Sequence, residues 1–434
     1  MNAVNKNYVG ILLLIICLYS CKKDEDATGP KITFSTPIEN QTFNVYDYVT
    51  VNAAVTDEHK ITAISISLVD ADQHLVHVTV PLPVSSPSTS ISYQYLLDNI
   101  HLLTGIYYIK IFATDGINDS YKYQKIYVIE VPKTLDKVYV ISNTSAAQTN
   151  LSFIDPVFSS IIPFHTFSGD HLASSVSSYY QQAFVCGNYT GAFSGHVLQF
   201  NGPRFTISPT LSSNPYFTGY YNDDKYNYVA RYNGSIRGYD YTGTSIYSAT
   251  ALIGYYAKKI CFNDQHLIAE EKEVLTSVKQ LVTYFPNGSF EKSCSLTEDV
   301  VAFCEKDAGN VFVFGNTAGQ ASLSLFDRSN NNIWSPYPFP MAAGGMLSAL
   351  KIDADTYLIG HSNGTIYKYQ YSLGSVTTYL TGYTAVQLKY DDLSNRLYVV
   401  EVNRVSTFDY TSVSLVNTVT STENILDAHL LYNR

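Results

Sequence analysis

Short stretches of alternating apolar and polar residues follow one another along most of this chain, with polar turns between them. The segment 388–419 shows four such stretches in a row. Alternation with a period of two is typical of β-strands that bury one face. Continuous helical periodicity is absent after the first twenty residues. The pattern therefore predicts an all-β protein.

The third stretch of this segment ends in an aromatic residue and a turn former, Phe408-Asp409, and comparable endings recur upstream. They fall at positions 154, 200, 239, 284, 326, 369 and 408, at intervals of 39 to 46 residues. A period of about 40 to 50 residues built from short strands is typical of β-propeller blades. A lone four-stranded sheet cannot cover both of its apolar faces, so such sheets stack around a ring. The spacing predicts a seven-bladed β-propeller in residues 132–434.

The first blade has only three strands in its own stretch of sequence, at 137–142, 150–154 and 161–167. The last apolar run of the chain, 425–432, is left without a sheet of its own. We therefore expect this C-terminal run to pair beside the first of those strands and to close the ring without a covalent bond. The segments 395–400 and 405–409 resemble the YncE-like family of seven-bladed propellers and the related surface-layer repeats. The resemblance implies the same propeller fold.

Residues 31–131 form a separate region with about seven short β-patterns in about a hundred residues, which fits an immunoglobulin-like (Ig-like) β-sandwich. The segment 105–116 resembles the penultimate strand and turn of bacterial Ig-like domains. No cysteine lies in this region, so packing alone must hold its sheets together. Two acidic clusters, at 57–58 and 115–119, are interpreted as turn residues, with calcium binding as the alternative if they met at one end of the sandwich.

The first twenty residues carry a different signal. Lys6 precedes the apolar run 9–18, which is too short to span a bilayer and fits the apolar region of a secretory signal peptide, residues 1–20. The sequence Leu18-Tyr19-Ser20-Cys21 resembles the lipobox of bacterial lipoproteins. That resemblance implies that Cys21 becomes the first residue of the mature chain and carries acyl chains such as palmitate.

Residues 22–26, Lys-Lys-Asp-Glu-Asp, resemble the acidic export signal of some Gram-negative surface lipoproteins. A plain solvated tether, with retention in the periplasm, is the alternative. Residues 21–30 are expected to form a tether, and acyl chains contribute about 0.8 kcal/mol per buried methylene to membrane attachment. We expect a lipid-anchored protein of the outer membrane that faces the cell exterior, with the sandwich as a spacer.

The composition and motifs of the chain argue against several classes of function. Charged residues make up only 15% and the net charge is −10, which argues against a nucleic-acid surface. The ten histidines show no metal-ligand spacing, and nucleophile elbows, phosphate loops and dinucleotide fingerprints are absent, so we predict no metal, no cofactor and no catalytic residue. The cysteines expected to remain as buried thiols, with disulfides as the alternative outside the cytosol, are Cys186, Cys261, Cys294 and Cys304.

In a propeller, the connections between successive blades and those between second and third strands share one face around the axis, which is the default place for a ligand. Tyrosines there offer an apolar ring and a polar tip, which suits sugars and other flat polar ligands. With 38 tyrosines in the chain, packing is the alternative role for each. The residues predicted to bind a ligand on this face are His171, Tyr189, Tyr232, Tyr255, Tyr256, Tyr337, His361, Glu401 and Arg404.

Three functions are compatible with these patterns. Surface lipoproteins with similar propellers work beside outer-membrane transporters and capture corrinoids or glycans, so the resemblance implies a non-enzymatic protein that binds a ligand or a partner. An extracellular lactonase-like or hydrolase-like enzyme is the second hypothesis, and a structural or adhesive surface protein is the third. Three or more acidic or histidine side chains grouped around the axis would favour the enzyme, and a tyrosine-lined bowl would favour binding.

Overall fold

The structure, a computed structural model, describes residues 28–434 except 85, 156, 158, 212 and 336–338. The predicted signal peptide, Cys21, most of the tether and Tyr337 lie outside the described residues. Strands make up all the regular structure of the described part, which confirms the all-β prediction. Within that part, no helix has the length and apolarity needed to cross a membrane. The chain divides into two compact units, Met1–Pro132 and Lys133–Arg434.

The strands of the first unit have these bounds: β1 Lys31–Thr36, β2 Gln41–Asn44, β3 Tyr48–Thr56, β4 Ala63–Val69, β5 Val80–Leu82, β6 Ser88–Leu96, β7 Gly105–Thr114 and β8 Asp119–Ile129. They form a three-stranded sheet in the order β1-β3-β6 and a five-stranded sheet in the order β2-β8-β7-β4-β5. One apolar core joins both sheets, with Val49 and Val51 from the first and Ile109 and Ile111 from the second. The strands alternate between this core and solvent, as the period of two predicts.

The second unit begins with β9 Leu135–Ser145, β10 Gln148–Ile154 and β11 Ile161–Ser168. The next strands are β12 Ala173–Ser177, β13 Gln182–Cys186, β14 Phe193–Val197, β15 Gly202–Ile207, β16 Phe217–Asn222, β17 Asn227–Arg231, β18 Ser235–Tyr239, β19 Ser245–Thr250, β20 Tyr255–Asn263, β21 His266–Glu273, β22 Lys279–Tyr284 and β23 Phe290–Leu296. The remaining strands are β24 Asp299–Asp307, β25 Asn310–Thr317, β26 Gln320–Asp327, β27 Asn332–Trp334, β28 Met346–Lys351, β29 Thr356–His361, β30 Thr365–Gln370, β31 Ser375–Thr381, β32 Gln387–Asp391, β33 Arg396–Glu401, β34 Arg404–Asp409, β35 Leu415–Thr420 and β36 Asn424–Tyr432.

Among the described residues these strands form seven four-stranded antiparallel sheets. Six of the sheets use four consecutive strands, beginning with β12–β15 and ending with β32–β35. The other sheet has the order β11-β10-β9-β36, so the last strand of the chain pairs with the first strand of the unit. Ala428 lies opposite Val140 in this pairing, as the unplaced C-terminal run predicts.

The innermost strands of the sheets contact one another in a closed cycle. β12 contacts β16, and the series continues through β20, β24, β28 and β32 to β36, which contacts β12 again. The apolar clusters lie between neighbouring sheets: one of them joins Val405 to Ile425, and another joins Tyr139 to Val185. Each sheet therefore covers its neighbours, and the unit has the ring arrangement of a β-propeller.

A β-bulge recurs near the start of five inner strands. In each case one extra residue precedes the point where pairing with the second strand resumes. These extra residues are Thr218, Lys258, Val301, Leu347 and Leu426. A bulge leaves one residue unpaired and changes the direction of nearby side chains. The strands without this bulge, β12 and β32, lie on either side of β36 in the ring.

The recurrent endings from the sequence lie at or just after the third strands, with one exception. Tyr239 and Tyr284 are the last residues of β18 and β22, whereas Phe200 lies three residues beyond the end of β14. Asn201 has a φ of 48° in this turn, a conformation that asparagine tolerates better than most residues. The four described cysteines are free thiols, and three of them are buried, as expected. Cys294 is only partly buried, which differs from the prediction.

Candidate functional site

A cavity of about 440 Å³ lies along the inner strands β32, β36, β12 and β16, which follow one another in the ring. Its position against four neighbouring inner strands places it at the axis of the propeller. The lining residues are Ala173, Ser174, Ser175, Val176, Tyr220, Tyr221, Asn222, Lys389, Tyr390, His429, Leu430 and Tyr432. We call it the channel site.

Four tyrosines give the channel site most of its aromatic lining. The Tyr220 hydroxyl donates to Asn227 Oδ1 at 2.6 Å, and the Tyr432 hydroxyl donates to Asp391 Oδ1 at 3.0 Å. Burial raises the pKa of Tyr220 and Tyr390, so both phenols stay protonated at neutral pH. Tyrosines fixed in this way present an apolar ring face and a hydrogen-bonding tip to a ligand.

Ser174, Asp427 and His429 form a polar cluster at the wall of this cavity. Ser174 Oγ donates to Asp427 Oδ2 at 2.8 Å, and His429 Nε2 lies 2.9 Å from the same hydroxyl oxygen. His429 Nε2 also lies 3.1 Å from Asp427 Oδ2. All three side chains are buried. Buried polar groups need partners, and this cluster satisfies its members mutually.

Two further side chains extend the cluster across strands. His171, in the connection that precedes β12, places Nε2 3.2 Å from Ser174 Oγ. Gln387, the first residue of β32, donates its amide to Asp427 and accepts from the Ala428 N–H at 2.7 Å. The cluster therefore joins three successive blades at the place where the C-terminal strand completes the ring.

The electrostatics of the cluster favour one ionised carboxylate. Burial alone would raise the pKa of Asp427, but the charge and hydrogen bond of His429, together with the charge of Lys389, outweigh it and hold this pKa well below its usual range. Burial lowers the pKa of His171 to about 4, although the Asp427 charge opposes that shift. At neutral pH the site therefore offers the Asp427 carboxylate and the neutral imidazole of His171.

The arrangement differs from a serine-histidine-aspartate triad. In a triad the imidazole bridges the two partners, with the carboxylate on one ring nitrogen and the serine on the other. Here Nε2 of His429 faces both Asp427 and Ser174. The geometry favours a network of hydrogen-bond donors and acceptors for a polar ligand over a relay that activates the serine.

Hydroxyl residues near the start of two other inner strands have different partners. Thr218 on β16 donates to the Ala257 carbonyl at 2.7 Å, and Ser348 on β28 donates to the Ala385 carbonyl at 2.8 Å. Both hydroxyls reach the backbone of the next blade. Ser174 is buried to the same degree, but it reaches side chains instead.

Of the eight sequence-predicted residues that the structure describes, His171, Tyr189 and Tyr232 lie in connections between strands, and the other five lie at strand ends. None of the eight lines the channel site. Tyr232 and Tyr256 have ring centroids 5.0 Å apart. Burial and then the neighbouring Tyr232 raise the pKa of Tyr256, with a smaller contribution from Tyr189. These three tyrosines, from three different blades, are thus brought close together. The side chain of Tyr189 is 42% exposed, so this group is open to solvent.

Glu401 and Arg404 form an ion pair across the turn between β33 and β34. Glu401 also accepts the Thr384 N–H at 3.0 Å, and the Arg404 guanidinium lies 5.1 Å from the Tyr383 ring centroid. These contacts attach the turn to the connection between two blades. The pair has a clear structural role.

The remaining predicted residues are placed separately from these groups. His361 is fully buried at the end of β29, and its Nδ1 accepts the Asn363 N–H at 3.2 Å. The Tyr255 hydroxyl accepts from the Gln280 amide at 3.3 Å. His171 is the one predicted residue that contacts the channel cluster.

The sequence reasoning missed Ser174, Gln387, Asp427 and His429. A signal for two of them was available, because Asp427 and His429 are two residues apart in an otherwise apolar strand. That spacing places both side chains on the same face. Ser174 and Gln387 gave no comparable signal, since small polar residues at strand starts are common throughout the chain.

The acidic clusters of the first unit serve as turn residues. Asp57 Oδ1 accepts the His59 N–H at 2.7 Å, and Asp115 Oδ1 accepts the Ile117 N–H at 2.6 Å. Within the described residues, the one group of three side chains with ligand atoms close enough for a metal ion is Asp70, Asp72 and His74. Asp70 Oδ1 accepts the N–H groups of the other two at 2.9 and 2.8 Å, which is ordinary turn chemistry.

No protein-family model and no curated protein matches this chain. Among solved structures, it is similar to the computationally designed Ika8 protein, with 10% identity, a TM-score of 0.48, and coverage of 68% of this chain and 87% of that one. A quinonprotein alcohol dehydrogenase-like protein from Bacteroides thetaiotaomicron has 11% identity and a TM-score of 0.45, with coverage of 94% and 100%. The WD40 β-propeller domain of Doa1 has 11% identity and a TM-score of 0.46, with coverage of 61% and 85%. Because these TM-scores are below 0.5, the fold assignment rests on the strand order and the ring of contacts described above.

Proposed function

We propose that this protein is a lipid-anchored binding protein of the outer-membrane surface, without enzymatic activity, whose propeller captures a small polar ligand in the channel site. The tyrosine-lined cavity with its buried Ser174–Asp427–His429 cluster is the observation that carries this proposal. Fixed hydroxyls, a carboxylate and an ammonium group surround the cavity, and such convergent polar groups orient polar ligands.

The architecture we propose is an Ig-like sandwich followed by a seven-bladed propeller of the YncE-like type. Two sheets on one core support the sandwich, and seven four-stranded sheets in the described residues support the blade number. The lipobox-like sequence at Cys21 and the acidic residues after it support attachment at the cell surface. The sandwich then serves as the spacer between the lipid and the binding module.

A glycan or a corrinoid is the proposed ligand class, and an outer-membrane transporter is the proposed partner. The tyrosine rings suit the flat faces of either ligand, and the cluster supplies donors and acceptors for hydroxyl or amide groups. The proposal of a transporter as partner is based only on the resemblance to surface lipoproteins.

A ligand screen by thermal denaturation tests the proposal. The chain from residue 22 onward is incubated with corrinoids, mono- and oligosaccharides and metal ions. A ligand at about one hundred times its dissociation constant stabilises the native state by about 2.7 kcal/mol, which raises the Tm by several degrees. Ser174→Ala should reduce this rise, and Ser348→Ala, at the matched position outside the cavity, should leave it unchanged. A ligand whose effect both variants reduce equally, or no stabilising ligand at all, would contradict the proposal.

A hydrolase is the second candidate, because Asp427, His171 and His429 all meet at Ser174 and so satisfy the criterion of three grouped acidic or histidine side chains that favours an enzyme. If it were correct, an activated ester such as p-nitrophenyl acetate would be hydrolysed faster by the native protein than by Ser174→Ala. Equal rates are expected from the observed geometry, since His429 contacts the serine and the carboxylate through the same ring nitrogen and not through one nitrogen each.

A further inference from the structure

The outward face of the five-stranded sheet in the first unit carries a row of aromatic and basic side chains. They come from β7 and β8, where cross-strand pairing places them side by side. The pairs are Ile106–Tyr127, Tyr108–Lys125, Lys110–Tyr123 and Phe112–Tyr121. We call these eight residues the aromatic strip.

The aromatic strip is not needed to fill the core of its unit. The alternate residues of β7, including Ile109 and Ile111, point inward and are fully buried. Tyr121 is 50% exposed and Tyr127 is 38% exposed on the opposite face. Exposed aromatic residues grouped on one face indicate an interaction surface. Six residue steps at about 3.4 Å each make the strip roughly 20 Å long.

The strip is also positively charged. The ammonium nitrogen of Lys110 lies 4.6 Å from the Tyr121 ring centroid and 5.9 Å from that of Tyr123. Such cation–π contacts hold the charge at the aromatic surface. The strip contains no acidic residue, although the whole chain has a net charge of −10.

Neither lysine of the strip has its charge neutralised by a carboxylate in the described part of the chain. Among the described residues of this unit, the basic side chains with a nitrogen within 4.0 Å of a carboxylate oxygen are histidines: His59 with Asp57, His74 with Asp70 and His77 with Asp98. The ammonium groups of Lys110 and Lys125 therefore remain available to an external anion. Attraction between exposed charges of this kind is sensitive to salt.

We propose that the aromatic strip binds a linear, carboxylate-bearing polysaccharide, independently of any ligand in the channel site. Tyrosine rings cover the C–H faces of sugar rings, and their hydroxyls bond to sugar hydroxyls. The two lysines pair with the carboxylates of a polyuronate. An extended anionic chain matches the linear shape, the flat aromatic surface and the positive charge of the strip together.

Binding to polygalacturonate by the chain from residue 22 onward tests this proposal, with amylose as a neutral linear polymer and vesicles of phosphatidylglycerol as a non-sugar anionic surface. Isothermal titration calorimetry should show binding to polygalacturonate that weakens between 50 and 500 mM NaCl, as expected for exposed charges. The double variant Tyr121→Ala with Tyr127→Ala should lose at least about tenfold in affinity, as expected for the removal of two stacking contacts. Lys110→Gln with Lys125→Gln should weaken binding and remove most of the salt dependence.

Tyr48→Ala is the matched control, because Tyr48 is 61% exposed on β3 of the other sheet. This variant should bind like the native chain. Circular dichroism confirms that every variant is folded, so a loss of affinity reports on the strip. The proposal is overturned by equal affinity for amylose, by vesicle binding without polygalacturonate binding, by an equal loss in Tyr48→Ala, or by no binding to polygalacturonate.

Discussion

Hydroxyl side chains near the start of the inner strands make two different kinds of hydrogen bond. Thr218 and Ser348 direct their hydroxyls to backbone carbonyls of the next blade, whereas Ser174 directs its hydroxyl to the side chains of Asp427 and His429. A backbone carbonyl is an acceptor whose position is fixed by the strand or connection that carries it. A bond within a side-chain cluster can be exchanged for a bond to a ligand. The comparison indicates that the junctions at Thr218 and Ser348 are structural and that the junction around β36 is adaptable.

Removal of residues 425–434 should have the largest effect, because it removes β36 from the junction and leaves β9 as an unpaired inner edge. We expect the second unit to lose its cooperative unfolding transition. Circular dichroism during heating and limited proteolysis measure this loss. Removal of Arg434 alone, which lies beyond β36, is the control and should leave the transition intact. A sharp transition in the longer truncation would show that the ring does not depend on its C-terminal strand.

Asp427→Ala should have the next largest effect. It leaves the partners of a buried carboxylate unsatisfied, and such changes lower the free energy of unfolding by about 3 to 5 kcal/mol. Urea denaturation measures this change. Asp427→Asn keeps one acceptor and should lose less. A single hydrogen bond typically contributes about 1 kcal/mol to the free energy of unfolding. If both variants lost less than this, the cluster would stabilise the fold no more than the hydroxyl–carbonyl bonds of Thr218 and Ser348 do.

His171 should make the stability depend on pH. Its pKa is lowered to about 4 in the folded protein, so the unfolded chain binds the proton first as the pH falls below the ordinary histidine value of about 6.5. Stability should therefore decrease between about pH 6.5 and 4, by at most about 3 kcal/mol for this residue. Urea denaturation across this range should show a weaker pH dependence in His171→Gln. If the free energy of unfolding depended on pH in the same way in the native protein and in His171→Gln, His171 would not be the residue responsible.

Ser174→Ala and Ser348→Ala should have the smallest effects on stability, about 1 kcal/mol each for one lost hydrogen bond. Urea denaturation measures both. If the two variants lose the same stability, any difference between them in ligand binding reflects the partners of each hydroxyl and not a difference in folding. If Ser174→Ala lost several times more stability than Ser348→Ala, the role of the cluster would be chiefly structural.

Much of the fold could be predicted from the sequence because its signals are local. The alternation of apolar and polar residues predicted the strands, and the turn-forming endings predicted their repeat. The C-terminal run was assigned correctly because it was the one apolar segment without a sheet. Phe200 departs from the pattern because β14 ends at Val197, so that Phe200 lies inside the four-residue turn before β15.

The channel site could not be predicted in the same way, since it depends on contacts between distant segments. Ser174 and Asp427 are separated by 253 residues and meet only because the ring closes. The predicted residues were chosen from the connections between strands, so the choice passed over side chains within the inner strands, such as Asp427 and His429. His171 belongs to both sets because it lies two residues before the start of the inner strand β12. The predicted binding face at the rim stays a prediction.

The free thiols have a consequence for handling the protein. Cys186 and Cys261 are buried, and burial raises the pKa of each thiol. The reactive thiolate is therefore scarce, so neither air nor a mild oxidant should crosslink these positions while the ring is intact. Because the four described cysteines form no disulfide, a reducing agent should leave the melting temperature unchanged. Expression of the chain from residue 22 onward in a reducing or an oxidising compartment should therefore leave Cys186 and Cys261 as thiols in both cases.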